Sequence, residues 1–141
     1  MRVLAILLLF FLLLSCSKRQ NTNVLIGTWK MVYAETLEND SLVVKDLLNT
    51  EFIKIINQDH FAFFNQQKES ENGFYSGGGS YLLNGNNYYE TLSYISIENL
   101  RGHVFPFHIE FRGDTLIQSG IEKVEKANIN RKITEKYIKM R

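Results

Sequence analysis

From residue 25 onward, apolar and polar residues alternate with a period of two, in runs cut by Gly, Asn and Asp. Such runs are half-buried strands joined by tight turns, and their number and spacing predict an all-β sandwich or barrel. In TWKMVYAE (28–35), Trp29, Met31 and Tyr33 fall on one face and Thr28, Lys30 and Val32 on the other. EFIKIIN (51–57) and HFAFFNQ (60–66) are parted by Asn-Gln-Asp-His, residues that bond their own backbone in turns. In YSGGGSYLLNGNNYYETLSYIS (75–96), Asn84-Gly85 is the dipeptide a type I′ turn requires. That turn sets Leu83 opposite Asn86 and Tyr81 opposite Tyr88. It places Tyr81, Leu83, Tyr88, Glu90, Leu92 and Tyr94 on one face. HVFPFHIEFR (103–112) and TLIQSG (115–120) make a second hairpin around Gly113-Asp114.

Two stretches break the pattern. TLENDSLVVKDLLNT (36–50) is too long for a hairpin turn and fits a short helix around Val43–Leu48 that caps one end of a barrel. In the last segment, Ile129, Ile133, Tyr137 and Met140 recur at helical spacing, whereas ANINRKI (127–133) alternates. We expect a strand near 124–133 and a helical or frayed tail after it. The total is about eight hairpin-connected strands. Eight up-and-down antiparallel strands close a barrel whose interior takes side chains or one small ligand. A sandwich of the same strands is the competing arrangement.

The leader, MRVLAILLLFFLLLSCSKRQ, has a different character. Arg2 precedes an unbroken apolar run over residues 3–14. A membrane-spanning helix needs roughly 20 apolar residues, so this run fits the core of a secretory signal peptide. LLSC (13–16) resembles the bacterial lipobox. The resemblance implies cleavage after Ser15 and attachment of lipid, with palmitate-type acyl chains, to Cys16. An ordinary signal peptide with an incidental cysteine is the alternative. Cys16 is the only cysteine in the chain, so it has no intramolecular partner, and lipid attachment accounts for an otherwise unpaired thiol. The expected organisation is a signal peptide (1–15), an acylated cysteine and polar tether (16–24) and a barrel domain (25–141). Ser17, Lys18, Arg19 and Gln20 follow the cysteine without an aspartate. By similarity to lipoprotein sorting signals, this implies a cell-envelope location on the periplasmic face of the outer membrane.

Charge narrows the partners. The chain carries 16 basic and 15 acidic residues, and loss of Arg2 with the leader leaves 15 of each. A balanced domain has no electrostatic footprint for nucleic acid. His60, His103 and His108 lack metal-ligand spacing, and no second cysteine can complete a zinc site. There is no nucleophile elbow, and Gly77–Gly79 without a following helix and lysine reads as a bulged or bent strand. Neither a catalytic constellation nor a cofactor is indicated, so we do not expect an enzyme.

Gly27-x-Trp29 on the first strand resembles the opening signature of lipocalins and the wider calycin group. IGTWKMV, HFAFF, GGGSYLLNGNNYYE and FRGDTLIQSG, in this order over 26–120, are similar to small bacterial lipocalin-like lipoproteins. The resemblance implies that Trp29, entered through Gly27, closes one end of the barrel and packs against a late arginine, matched here by Arg131. Ile129 departs from the family pattern, which often has an aromatic residue two positions before that arginine. The implied function is binding of a small hydrophobic or amphipathic molecule among Phe61, Phe63, Tyr81, Tyr88, Phe107, Ile109 and Phe111. Glu90 shares the tyrosine face. It is a hydrogen-bonded core glutamate, an anchor for a ligand's polar end, or a solvated residue if that face points outward. The alternative is a non-catalytic scaffold with a filled barrel, acting through loops 36–50, 67–76 and 96–103 and the tail.

Overall fold

A computed structural model describes residues 24–141. The signal peptide, Cys16 and the tether as far as residue 23 lie outside the described residues. Nine strands follow one another: β1 Gly27–Glu38, β2 Ser41–Val44, β3 Thr50–Ile56, β4 His60–Gln67, β5 Phe74–Asn84, β6 Asn87–Ile95, β7 His103–Arg112, β8 Thr115–Val124 and β9 Ile129–Lys139. Every pairing is antiparallel between neighbours in sequence, except that β3 pairs with the first half of β1 and β9 returns to β1. The result is a closed, eight-stranded up-and-down barrel, with β2 as an extra short strand on the second half of β1. The seam between β1 and β3 is paired over Gly27–Lys30 and Ile53–Ile56.

The turns follow the predicted chemistry, with one adjustment. Asn57 Oδ1 accepts from the backbone N–H groups of Asp59 and His60, at 3.1 and 2.8 Å, and so holds the β3–β4 turn. Gly113-Asp114 joins β7 to β8, with Gly113 at φ +59°. Between β5 and β6 the loop is Gly85-Asn86, because Asn84 pairs with Asn87. Gly85 alone takes positive φ, +59°, which is the type II′ pattern rather than I′. Tyr81 therefore opposes Glu90 and Leu83 opposes Tyr88. A slip of two positions keeps each side chain on its face, whereas a slip of one would have inverted the strand.

Two bulges redirect side chains that strict alternation had placed inside. Val32 is an extra residue between Met31 and Tyr33 in the β1–β9 ladder. Beyond it Ala34 is buried, and Tyr33 lies across from Lys136, whose ammonium is 4.7 Å from the Tyr33 ring centroid. Ser93 is extra between the partners of Gly78 and Gly79. It turns Tyr94 outward, 69% exposed, and brings Ile95 against the core. Gly79 is required there, since a Cβ would lie 1.8 Å from the Thr91 carbonyl oxygen.

The helix expected around Val43–Leu48 is absent. Asn39 and Asp40, at φ 49° and 60°, form a two-residue turn with positive φ at both positions, and β2 follows. The tail is likewise corrected. A short 3₁₀ turn, Glu125–Ala127, ends with Asn128 in the left-handed region, and a full strand then runs to Lys139. Alternation inside β9 (Ile133, Glu135 and Tyr137 inward) overrides the helical spacing of Ile129, Ile133 and Tyr137, because only a strand closes the barrel against β1.

Candidate functional site: a plugged barrel with a polar belt and an open mouth

The barrel interior has three layers along its axis. The first is an aromatic plug. Trp29 is 2% exposed, and its indole N–H donates to the Leu25 carbonyl at 2.7 Å. Phe111 packs on it, with ring centroids 6.1 Å apart, and the Lys139 ammonium lies 5.3 Å from the ring centroid. The cation over Trp29 is thus Lys139, its register partner, and not Arg131. Arg131 opposes Glu122 near the far end and gives its Nε–H to Glu122 Oε2 at 2.5 Å. Phe61, Tyr81, Tyr88 and Ile109 are buried in the core beyond the plug, and Tyr81 donates to the Asn57 carbonyl at 2.8 Å.

The second layer is a polar belt that spans the barrel. Lys54 on β3 is 3% exposed; it pairs with Glu90 Oε1 on β6 and donates to Gln118 Oε1 on β8 at 2.9 Å. Its ammonium also faces the rings of Phe61, Tyr88 and Tyr137 at 5.2, 5.4 and 5.9 Å. Glu135 on β9 lies across from Gln118 and accepts from the Tyr137 hydroxyl at 2.7 Å. Glu90 is therefore a core glutamate that is ion-paired, and its partner could have been found. Phe52, Lys54 and Ile56 share one face of an alternating strand, so a buried Lys54 needed an acid inside.

Burial sets the protonation of this belt. It raises the Tyr88 and Tyr137 phenols, assisted by Glu90 and Glu135 respectively, and keeps both protonated. Burial also pushes Glu135 up to about 7 from its ordinary 4.5; Lys54 and the Tyr137 hydroxyl pull it back, while Glu90 and Glu122 push it further up. A carboxyl raised in the folded state binds its proton more tightly there than in the unfolded chain. Its contribution to stability is therefore full below pH 4.5 and is lost as pH rises through 7, by about 3 kcal/mol in all. We expect Glu135→Gln to remove this loss. Urea unfolding at pH 5 and pH 8 checks it: the variant should lose less stability between the two than the wild type.

The third layer is an open cavity of ≈ 350 Å³ at the end opposite Trp29. Phe63, Tyr75, Leu92, Ile95, Phe105, Phe107 and Ile129 wall it, and Ile97 and Leu100, from the loop after β6, stand at its rim. Its polar lining is Glu90, Glu122 and Arg131. Of the residues expected around a ligand, the cavity gathers Phe63, Glu90 and Phe107. Phe61, Tyr81, Tyr88 and Ile109 fill the core outside it, and Phe111 belongs to the plug, 41% exposed at the other end. Sequence reasoning missed Leu92's neighbours Ile95 and Leu100, because one is turned inward by a bulge and the other comes from a loop. His60 is exposed and pairs with Asp59 at 2.7 Å, and His108 faces outward.

No protein-family model matches the chain, and no curated protein is significantly similar to it. What the geometry itself defines is a class: a closed eight-stranded antiparallel barrel, compatible with a lipocalin-like fold, plugged at one end and hollow at the other.

Proposed function

We propose that this protein is a lipid-anchored, lipocalin-like lipoprotein of the cell envelope. It is held through acylated Cys16, with the periplasmic face of the outer membrane as its location. It binds a small hydrophobic or amphipathic molecule in the hollow half of its barrel. The observation that carries this reading is the ≈ 350 Å³ cavity, whose walls are mostly apolar and whose lining also holds Glu90, Glu122 and Arg131. Ligand sites have this make-up and a volume of roughly 300–1,000 Å³. A second reading, a scaffold that acts through its surface, draws on β2. Leu42, Val43 and Val44 are all more than half exposed there.

Native mass spectrometry of the purified full chain tests the binding reading. We expect a retained small molecule, and its loss when Leu92→Trp fills the cavity. A wild-type protein that carries nothing and takes up no added amphiphile favours the scaffold. For the anchor, inhibition of the lipoprotein signal peptidase should leave an unprocessed precursor. Normal maturation under that block would remove Cys16 from the account.

A further inference from the structure

The plugged end carries a collar of exposed apolar side chains. Val24, Ile26, Phe111, Ile138 and Met140 are 36–61% exposed there and, together with Trp29, line a shallow groove of ≈ 930 Å³. They come from three separate places in the chain: the entry segment, the end of β7 and the end of β9 with the residue after it. A contiguous exposed apolar patch with a polar rim marks an interaction surface. The tether supplies no cover for it. Between Cys16 and Val24 the chain reads Ser-Lys-Arg-Gln-Asn-Thr-Asn, without one apolar side chain.

Charge follows the same polarity. Lys139 lies over Trp29 and donates to the Val24 carbonyl at 3.5 Å, and Arg141 lines the same groove. Among the described residues neither cation has a carboxylate within salt-bridge distance. Glu110 is taken by Arg112 and Asp59 by His60. Asp114 in the groove is thus set against Lys139, Arg141 and the tether's Lys18 and Arg19. The loops around the mouth are the reverse: Asp40, Asp46, Glu69, Glu71, Glu98 and Glu125 outnumber Lys45, Lys68, Arg101 and Lys126. The barrel is apolar and basic where the chain enters it, and acidic where the cavity opens.

Resting on the acyl anchor at Cys16 proposed above, we infer that this collar is a second membrane contact: the plugged end sits on the bilayer, with its five apolar side chains at the boundary of headgroups and acyl chains and with Lys139 and Arg141 against the phosphates of anionic phospholipid. An interfacial surface of this kind buries its apolar face about 5–10 Å into that boundary. Each basic side chain near an anionic leaflet adds attraction that falls off within a Debye length. Acyl chains and a basic, apolar face together fix an orientation, whereas a lipid on a polar tether alone leaves the barrel free to turn.

Spin labels test the contact. The full-length lipidated protein is reconstituted in phosphatidylcholine vesicles with and without phosphatidylglycerol, with a nitroxide on Met140→Cys or, near the mouth, on Tyr94→Cys. Both positions are exposed, and an acylated Cys16 does not take the label. In the anionic vesicles the Met140 label is expected to show an oxygen-to-nickel-chelate collision ratio about tenfold above the Tyr94 label, because it lies below the headgroups. Removing phosphatidylglycerol or adding molar salt should lower that ratio, and so should Val24→Asp. The vesicle series stands independently of how that variant folds. Equal ratios at the two positions, in protein that still floats with the vesicles, overturn the docking face and leave the anchor. A Met140 label closed to both reagents, with spin–spin broadening between labels, puts a second copy on the collar and overturns it too. Wild-type protein that takes the label at Cys16 and does not float overturns both the docking face and the anchor.

Discussion

Replacing Trp29 by alanine is expected to cost about 3–5 kcal/mol of folding stability, a large share of the roughly 5–15 kcal/mol that holds a domain together. The side chain is 2% exposed and plugs the end of the barrel, with Leu25 folded over it and Phe111 against it. Its removal opens a hole that β-strands, fixed by their ladders on both sides, cannot collapse to fill. The partner for a double-mutant cycle is Lys139, whose ammonium lies 5.3 Å from the ring centroid. Trp29→Ala and Lys139→Ala should be non-additive, whereas Trp29→Ala and Arg131→Ala should add, because Arg131 pairs with Glu122 at the other end. Because Trp29 is the only tryptophan, its emission follows unfolding directly. A blue-shifted spectrum resistant to iodide is expected in the folded protein, and a red, freely quenched one would contradict the plug.

The second large effect is at Lys54. Lys54→Met leaves Glu90 and Gln118 facing each other inside the barrel without a cation. Breaking a buried pair from one side typically costs about 3–5 kcal/mol, and we expect a loss of that size at pH 8. In acid the loss should shrink, because a proton can neutralise the orphaned carboxylate. Lys54→Met combined with Glu90→Leu should recover most of it, since a well-packed apolar pair replaces an ion pair at little net cost. Equilibrium urea unfolding of the three variants decides the matter. A single-mutant loss below about 1 kcal/mol would mean that the belt is far wetter than its 3% and 7% exposures indicate.

The barrel was legible because alternation is a direct record of which face is buried, and β3, β4 and β7 keep it, whereas β8 buries Leu116, Ile117 and Gln118 in succession. Bulges erase that record. Val32 and Ser93 are ordinary strand residues, yet each shifts every side chain beyond it by one face, so Tyr33 and Tyr94 were misplaced while Trp29 and Leu92 were not. The arginine match failed for a related reason. With the last strand expected to stop near 133, Arg131 was the late arginine inside it that the lipocalin-like resemblance set against Trp29. The strand continues to Lys139, and antiparallel closure brings its end, not its start, beside the beginning of β1. At the site, Glu90 stood out as an acid among tyrosines, but the belt needs residues from four strands, and no local pattern encodes which of them meet across a barrel. Lys54 came closest, as a charge on a strand face otherwise apolar.

The chain enters the barrel at the plugged end, beside Trp29, and the cavity opens at the other. Cys16 precedes Val24 by eight residues, a reach of at most ~29 Å. β1 alone is 12 residues long, ~40 Å of strand before tilt. An acyl anchor at Cys16 would therefore keep the plug toward the bilayer and hold the mouth out in the aqueous space. Cargo would then have to arrive through water or be handed over by another macromolecule, instead of sliding in from the leaflet below.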